Sequence, residues 1–244
     1  MKLAVIGDIH GNVRALEAVL TDVKACGVDQ ILFLGDLVFM GLDPQLCFDL
    51  LMEQKPAVLV KGNTDANLEK ISSYIANTPF EKHMLKLMKY TSIRMHETSK
   101  KTIAEFAPTK RLELEQHSIL CCHGTPFSDT EGILANEPFS PAMAKMVSEE
   151  KLDIVFSGHT HIPADFMRDG VRFINPGAVG YSFDGDVRAS YALVTLEDGS
   201  IRCQHRRLEY DVKRYAMEVE HAMEGFVLFE RLLYALQNGK PIRQ

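Results

Sequence analysis

Five short stretches of the chain set aspartate, histidine or asparagine beside glycine: Gly7-Asp8-Ile9-His10-Gly11-Asn12, Gly35-Asp36, Gly62-Asn63-Thr64-Asp65, His123-Gly124 and Gly158-His159-Thr160-His161. Singly, each has an ordinary explanation, because Asn, Asp and Gly are turn residues. Jointly they point to metal chemistry. Asp8 and His10 sit two apart, as do His159 and His161, so in extended backbone each pair projects to one side and can address one ion. Carboxylate and imidazole donors without thiolate favour borderline divalent ions, Mn, Fe, Zn, Co or Ni, over soft-metal clusters.

Short apolar runs precede these clusters. Lys2 to Ile6 reads as a buried strand, followed by a helix from Asn12 to Cys26 with Val13, Leu16, Val19, Leu20 and Val23 at helical spacing. Gln30 to Leu34, the helix Pro44 to Glu53 and the run Ala57 to Val60 repeat the alternation, which implies a largely parallel sheet with helical crossovers. Each strand runs into a polar cluster, placing those groups just past strand C-termini, where open α/β sheets bind ligands. Residues 64 to 107 read as a helical insert, clearest from Phe80 to Tyr90. Arg111 to Glu115 and Ser118 to Cys122 then suggest a hairpin, Pro141 to Glu150 a helix and Asp153 to Ser157 a strand. From Ala164 to Arg207 strands are joined by Asp169-Gly170 and Asp198-Gly199, so antiparallel hairpins dominate and a second sheet is expected to pack on the first. The tail from Val212 to Asn238 reads as helical, with Phe226, Phe229, Leu232, Leu233 and Leu236 as its stripe and Gly239 as its stop.

A chain of 244 residues, 46% hydrophobic and 25% charged, suits one sizeable α/β domain or a domain with an appendage. Its apolar runs are far shorter than the roughly 20 residues of a membrane span, and its start lacks the features of a secretory signal. An intracellular, cytoplasmic protein is expected. The formal charge of -6 argues against a broad surface for duplex nucleic acid, so an anionic substrate needs a local positive charge such as bound metal. The five cysteines form neither a disulfide framework nor a Cys-x-x-Cys pair and are expected to be reduced.

In order from Asp8 to His161, the blocks Asp-x-His, Gly-Asp, Gly-Asn, His and Gly-His-x-His make the chain resemble the calcineurin-like metallophosphoesterase superfamily. His-Gly-Thr-Pro at His123 to Pro126 and Asn-Pro-Gly-Ala-Val at Asn175 to Val179 make it most similar to the compact bacterial and archaeal phosphodiesterase branch. The resemblance implies an α/β sandwich of two packed mixed sheets flanked by helices, in four αββα layers. Residues 1–210 would form this domain, carrying the insert at about 64–107, and residues 211–244 a C-terminal helical extension packed on it. By position, the resemblance implies one divalent ion on Asp8, His10, Asp36 and His161 and a second on Asp36, Asn63, His123 and His159, with Asp36 the bridge. It assigns catalysis to Asn63, Asp36 and His123, and substrate binding to Asn12, Asn63 and Thr64. The implied reaction is hydrolysis of a phosphodiester or phosphoanhydride by a hydroxide bridging two metals.

Where most of the superfamily has His after Gly-Asn, this chain has Thr64, which removes the usual candidate for protonating the leaving oxygen. Activated leaving groups, or an acid from the insert such as His83 or His96, are therefore expected. His117, His205 and His221 read as surface or satisfied histidines. A phosphomonoesterase or Ser/Thr protein phosphatase is the alternative on the same fold, and a non-catalytic scaffold is disfavoured by the complete ligand set. The expected partner is a small phosphorylated substrate, a nucleotide or dinucleoside polyphosphate by resemblance. A homo-oligomer is a further expectation.

Overall fold

The first strand, β1 (Lys2–Ile6), serves two cores by simple alternation, and a four-layer architecture follows from it. Leu3 and Val5 point one way and Ala4 and Ile6 the other, all fully buried. The computed structural model describes residues 1–223, 226 and 229–242. After β1 come α1 (Val13–Ala25), β2 (Gln30–Phe33), α2 (Pro44–Glu53), β3 (Val58–Leu59), α3 (Asn63–Lys70), α4 (Pro79–Ser92), α5 (Glu97–Ala104), β4 (Thr109–Leu114) and β5 (His117–Cys122). The chain continues through α6 (Pro141–Glu149), β6 (Ile154–Phe156), β7 (Ala164–Arg168), β8 (Val171–Asn175), β9 (Ala189–Glu197), β10 (Ser200–Leu208), α7 (Val212–Ala222) and α8 (Phe229–Asn238).

Two five-stranded mixed sheets result, in the orders β10-β9-β1-β2-β3 and β4-β5-β6-β8-β7. Parallel pairs occupy the working parts, β1 with β2 and β2 with β3 in one sheet, β5 with β6 and β6 with β8 in the other. Antiparallel strands β4 and β7 close the edges of the second sheet. Leu3 and Val5 meet Ile119, Cys121, Ile154, Phe156, Ala192 and Val194 in the core between the sheets. Ala4 and Ile6 face Leu16 and Val19 of α1 and Cys47 and Leu51 of α2. On the far side, Leu120, Cys122 and Val155 are covered by Met143, Met146 and Val147 of α6. The layers are therefore helix, sheet, sheet, helix, the expected arrangement.

Local chemistry sets the helix ends. Asn12 caps α1 by accepting the Ala15 N–H at 3.1 Å, and Thr78 and Glu81 form a reciprocal capping box on α4 with Pro79 in the first turn. The tail expected to be helical from Val212 to Asn238 contains α7 and α8 among the described residues. Residues 224, 225, 227 and 228 of that stretch lie outside the described residues. α7 and α8 bury Tyr215, Val219, Leu232 and Leu236 together with Leu87 and Met88 of α4. The insert is three helices, and α5 with its flanks contributes Met95, Ile103 and Phe106 to the core beneath α1 and α2. Gly239 ends α8 at φ 61°.

Candidate metal centre

The strand ends do not present their polar residues in extended backbone, as the two-residue spacing suggested. Asp8, His10, Asp36, His159 and His161 all adopt left-handed backbone, with φ of 54°, 50°, 58°, 67° and 57°. A strand side chain points to one face or the other, so it cannot reach across the end of the sheet. A left-handed turn redirects it, and Asp and His tolerate that region better than most side chains. Such strain is held by its surroundings and clusters at functional sites. Here the loop after β1 is laced to the loop after β2 by Asp8 N–H to Gly35 O, His10 N–H to Asp36 O and Gly11 N–H to Leu37 O, at 2.9, 3.0 and 2.9 Å.

A buried carboxylate organises the third loop. Asp65 accepts the N–H groups of Asp36 and Gly62 on Oδ2, at 2.9 and 3.0 Å, and those of Leu37 and Val38 on Oδ1, at 2.9 and 3.3 Å. The loops touch so closely that a Cβ on Gly62 would lie 2.0 Å from Asp36 Oδ1. The Thr64 N–H donates to Asp36 Oδ1 at 2.9 Å, and the Thr64 hydroxyl donates to Val38 O at 2.9 Å.

These loops assemble two groups of donors, Asp8 with His10 and His161, and Asp36 with His123 and His159. Asp36 Oδ2 lies between them, 3.6 Å from His10 Nε2 and 3.4 Å from His123 Nε2. Asn63 Oδ1 is 3.0 Å from His123 Nε2 and 3.1 Å from His159 Nδ1. All seven residues expected as metal ligands thus converge on one place. Three imidazoles are oriented by backbone carbonyls at Nδ1: His10 by Phe39 O at 3.3 Å, His123 by Leu34 O at 2.9 Å and His161 by Tyr181 O at 2.7 Å. Donation from Nδ1–H directs each Nε2 inward, the orientation of a metal-ligating histidine. His159 turns Nδ1 inward instead.

The donor set fits cations. Ligand atoms about 2.0–2.2 Å from an ion stand about 3–3.6 Å from each other, and here His10 Nε2 to His161 Nε2 is 3.1 Å and His161 Nε2 to Asp8 Oδ1 is 3.4 Å. Asp8 Oδ1 is buried with no hydrogen-bond partner, a costly state unless a cation faces it. The Asn63 amide can turn either way. With its NH2 inward it can donate to Asp129 O and His159 Nδ1, at 3.2 and 3.1 Å; with its oxygen inward it faces His123 Nε2 and offers a donor atom to a cation.

Burial works against charge throughout the cluster. It pushes His10 down to about 4 and lowers His159, helped there by His123. On His123 the same burial is outweighed by the Asp36 carboxylate, which lifts it to about 10. Burial alone would raise Asp36, yet His123, His10 and the Thr64 N–H hold its carboxyl well below the usual carboxylate range. Burial and the Asp36 charge push Asp65 up to about 7. Without metal the cluster therefore keeps a proton on His123, which an arriving cation must displace.

Other expected residues are occupied differently. Asn12 is buried, and its NH2 donates to Gly180 O at 2.7 Å and Tyr210 Oη at 3.2 Å, so its side-chain donors are already engaged. His96 is exposed at the start of α5, its N–H on Gln45 Oε1, and His83 lies on α4. Among the described residues no hydrogen bond or ion pair joins either ring to the cluster. Asn175 ties the Gly-His-x-His loop by donating to Gly158 O at 2.7 Å and Thr160 Oγ1 at 3.1 Å. Sequence reasoning assigned no role to Asp65, nor to Tyr181 and Phe183, which lie against His161 with ring centroids 4.7 and 4.6 Å away. The signal for Asp65 was its place two residues past Asn63; Tyr181 and Phe183 carried none.

An αββα sandwich with Asp, His and Asn donors gathered at the ends of its parallel strands defines a metal-dependent phosphoesterase class. The chain belongs to the calcineurin-like phosphoesterase superfamily, whose domain matches residues 1–199. It is a hydrolase acting on phosphate esters. It is 29% identical to an uncharacterized protein of Methanocaldococcus jannaschii over 241 residues, covering 87% of this chain and 89% of that one. The phosphodiesterase YfcE of Escherichia coli is 24% identical over 221 residues, covering 84% of this chain and 97% of that protein. A metallophosphoesterase from Sphaerobacter thermophilus superposes with a TM-score of 0.76 at 26% identity, over 98% of this chain and 99% of the other. No described helix is long and apolar enough to cross a membrane.

Proposed function

We propose that the chain is a phosphodiesterase or phosphoanhydride hydrolase working with two divalent ions, one on Asp8, His10, Asp36 and His161, the other on Asp36, Asn63, His123 and His159. The observation that carries this reading is the position of Asp36 Oδ2 between the two donor groups, within 3.6 Å of His10 and 3.4 Å of His123. When bound, such ions activate water and neutralise the charge that develops on a phosphoryl group. The chain's own residues do the rest. Asp65 and the Thr64 N–H fix Asp36, and the carbonyl-bound histidines present preset nitrogens, so little reorganisation accompanies the reaction. Residues 1–210 would be the catalytic unit, with the insert at 64–107 and the 211–244 extension packed around it. The substrate would be a small phosphorylated molecule met in the cytoplasm.

In hydrolysis the water oxygen bonds to phosphorus, the ester P–O bond breaks, and the departing oxygen must carry negative charge or take a proton. Thr64 supplies none, because its hydroxyl hydrogen is given to Val38 O. The leaving oxygen therefore departs as a stabilised anion or is protonated by solvent, which favours aryl esters, diesters with good leaving groups and anhydrides. A comparison of bis-p-nitrophenyl phosphate with an alkyl phosphomonoester, each with Mn, Fe, Zn, Co and Ni, tests this. The expected outcome is metal-dependent turnover of the aryl diester at least a hundredfold faster, on the order of 2.7 kcal/mol in barrier, and its loss in Asp36→Asn. Equal rates would point to a phosphomonoesterase. A metal-replete protein with no turnover would point to a scaffold.

A further inference from the structure

The loop that follows His123 holds an aromatic ring in solvent beside the donor cluster. Phe127 is 58% exposed and lines a cavity of about 380 Å³ together with Lys61, Pro108, Pro126 and Asp129. His123 is part of the same wall, so the cavity borders the centre. A cavity of about 680 Å³ beside Phe183, which stacks on His161, has no donor of the cluster in its lining.

The ring is not on a loose loop. Thr125 and Ser128 bridge each other, with Thr125 N–H to Ser128 O at 2.8 Å and Ser128 N–H to Thr125 Oγ1 at 3.0 Å, and the Phe127 N–H reaches Thr125 Oγ1 at 3.3 Å. Pro126 fixes the turn's first φ. Behind it, a Cβ on Gly124 would stand 2.4 Å from Glu131 O and 2.6 Å from Ser128 O, both backbone atoms. The turn is thus packed onto its own continuation, and the ring is preset for contact, which lowers the entropic cost of using it. The wall carries no free cation for a second phosphate: the Lys61 ammonium is held by Glu69 at 2.8 Å and Ala104 O at 2.5 Å. Asp129 adds a negative charge at the rim. Apolar ring, two prolines and an acidic rim favour a neutral planar group, and the volume lies within the range of small-molecule sites.

We propose that this cavity seats a planar aromatic ring carried on the substrate's phosphate, with Phe127 as the stacking contact that selects it. The proposal deepens, and rests on, the phosphoesterase reading above. It makes the substrate an aryl-type or nucleoside phosphoester rather than an alkyl one, with the phosphate at the donor cluster and the ring against Phe127.

The test is equilibrium binding of methyl phosphate, phenyl phosphate and adenosine 5′-monophosphate to the Mn-loaded protein, by calorimetry, in the parent and in Phe127→Ala and Phe127→Trp. The parent should bind at least one ring-bearing phosphate about tenfold more tightly than methyl phosphate, the scale of one base–aromatic stack. Phe127→Ala should bring that ratio close to one and Phe127→Trp should preserve it. Preference for adenosine 5′-monophosphate over phenyl phosphate identifies a nucleobase as the ring; the reverse identifies a small aryl ester. A parent ratio near one, or a ratio untouched by Phe127→Ala, overturns the proposal. Hydrolysis of methyl p-nitrophenyl phosphate is measured alongside. Its absence in the parent sinks the phosphoesterase reading while the binding ratio still decides the ring site, and its presence with a ratio of one sinks the ring site alone.

Discussion

Replacing Asp65 by Asn separates two effects that oppose each other at the centre. The carboxylate accepts four backbone N–H groups, two on each oxygen, from Asp36, Leu37, Val38 and Gly62. An amide keeps one oxygen and turns an NH2 toward the other two donors. Losing two charge-assisted bonds of about 1.5–3 kcal/mol each destabilises the loops by roughly 3–6 kcal/mol. Against this, the charge on Asp65 is itself costly. Burial and Asp36 lift its carboxyl from 3.8 to about 7, about 4 kcal/mol at about 1.4 kcal/mol per tenfold change. For an acid whose folded value is raised, that cost is fully present above about 7 and vanishes below 3.8. At pH 8 without metal, the two effects should nearly cancel, leaving urea stability of Asp65→Asn within about 2 kcal/mol of the parent. With Mn bound, cations neutralise Asp36 and remove its share of that cost while the larger share, from burial, stays, so the loss should exceed the metal-free one by about 1–2 kcal/mol. Linkage then requires metal affinity to fall by roughly tenfold. Urea unfolding of both proteins, with and without Mn, measures all four stabilities. An equal loss in both states would refute the reasoning, because it would mean that Asp36 and Asp65 do not repel.

Metal binding should release protons. At pH 7 His123, lifted to about 10 by Asp36 despite its burial, holds a proton in the metal-free protein, and affinity should rise with pH up to about 10. Calorimetry in two buffers of different ionisation enthalpy should report about one proton freed for the ion on His123, and none freed would remove that protonation from the account. Asp22→Asn tests the joint between α1 and the β9-β10 hairpin, where Asp22 accepts Tyr191 Oη at 2.7 Å and Arg206 at 3.0 and 2.7 Å. Arg206 lowers the Asp22 carboxyl, so the stabilisation is present above 3.8 and lost as pH falls through the depressed folded value. After discounting for partial exposure, the substitution should cost about 1–2 kcal/mol at pH 7 and little in acid. A cost that persisted at pH 3 would assign the effect to packing rather than charge.

The sandwich and the residues that converge at its strand ends were legible because both are written locally. A continuous apolar run such as Leu3, Ala4, Val5 and Ile6 announces a strand buried on both faces, and every donor except His161 is adjacent in sequence to a glycine. What sequence could not carry was direction. The two-residue spacing of Asp8 and His10 looked like a strand face, whereas left-handed backbone at both residues turns them across the sheet end. Asn12 illustrates the same limit. Its type and place suggested a phosphate donor, yet Gly180 and Tyr210, distant in sequence, claim its amide. The tail's apolar stripe was visible, but its partners Leu87 and Met88 on α4, more than a hundred residues away, are reported by no local pattern.

The donors come from both sides of the sandwich: Asp8, His10, Asp36 and Asn63 follow strands of the first sheet, and His123, His159 and His161 follow strands of the second. Each donor group draws on both. Any ion seated there is consequently a rivet through two independently hydrogen-bonded plates. Sliding one plate against the other by an ångström would break coordination before it disturbed either sheet, so occupancy reports the registry of the layers. Two fragments cut between β3 and β4 would each lack part of both donor groups, and only their reassociation could restore them.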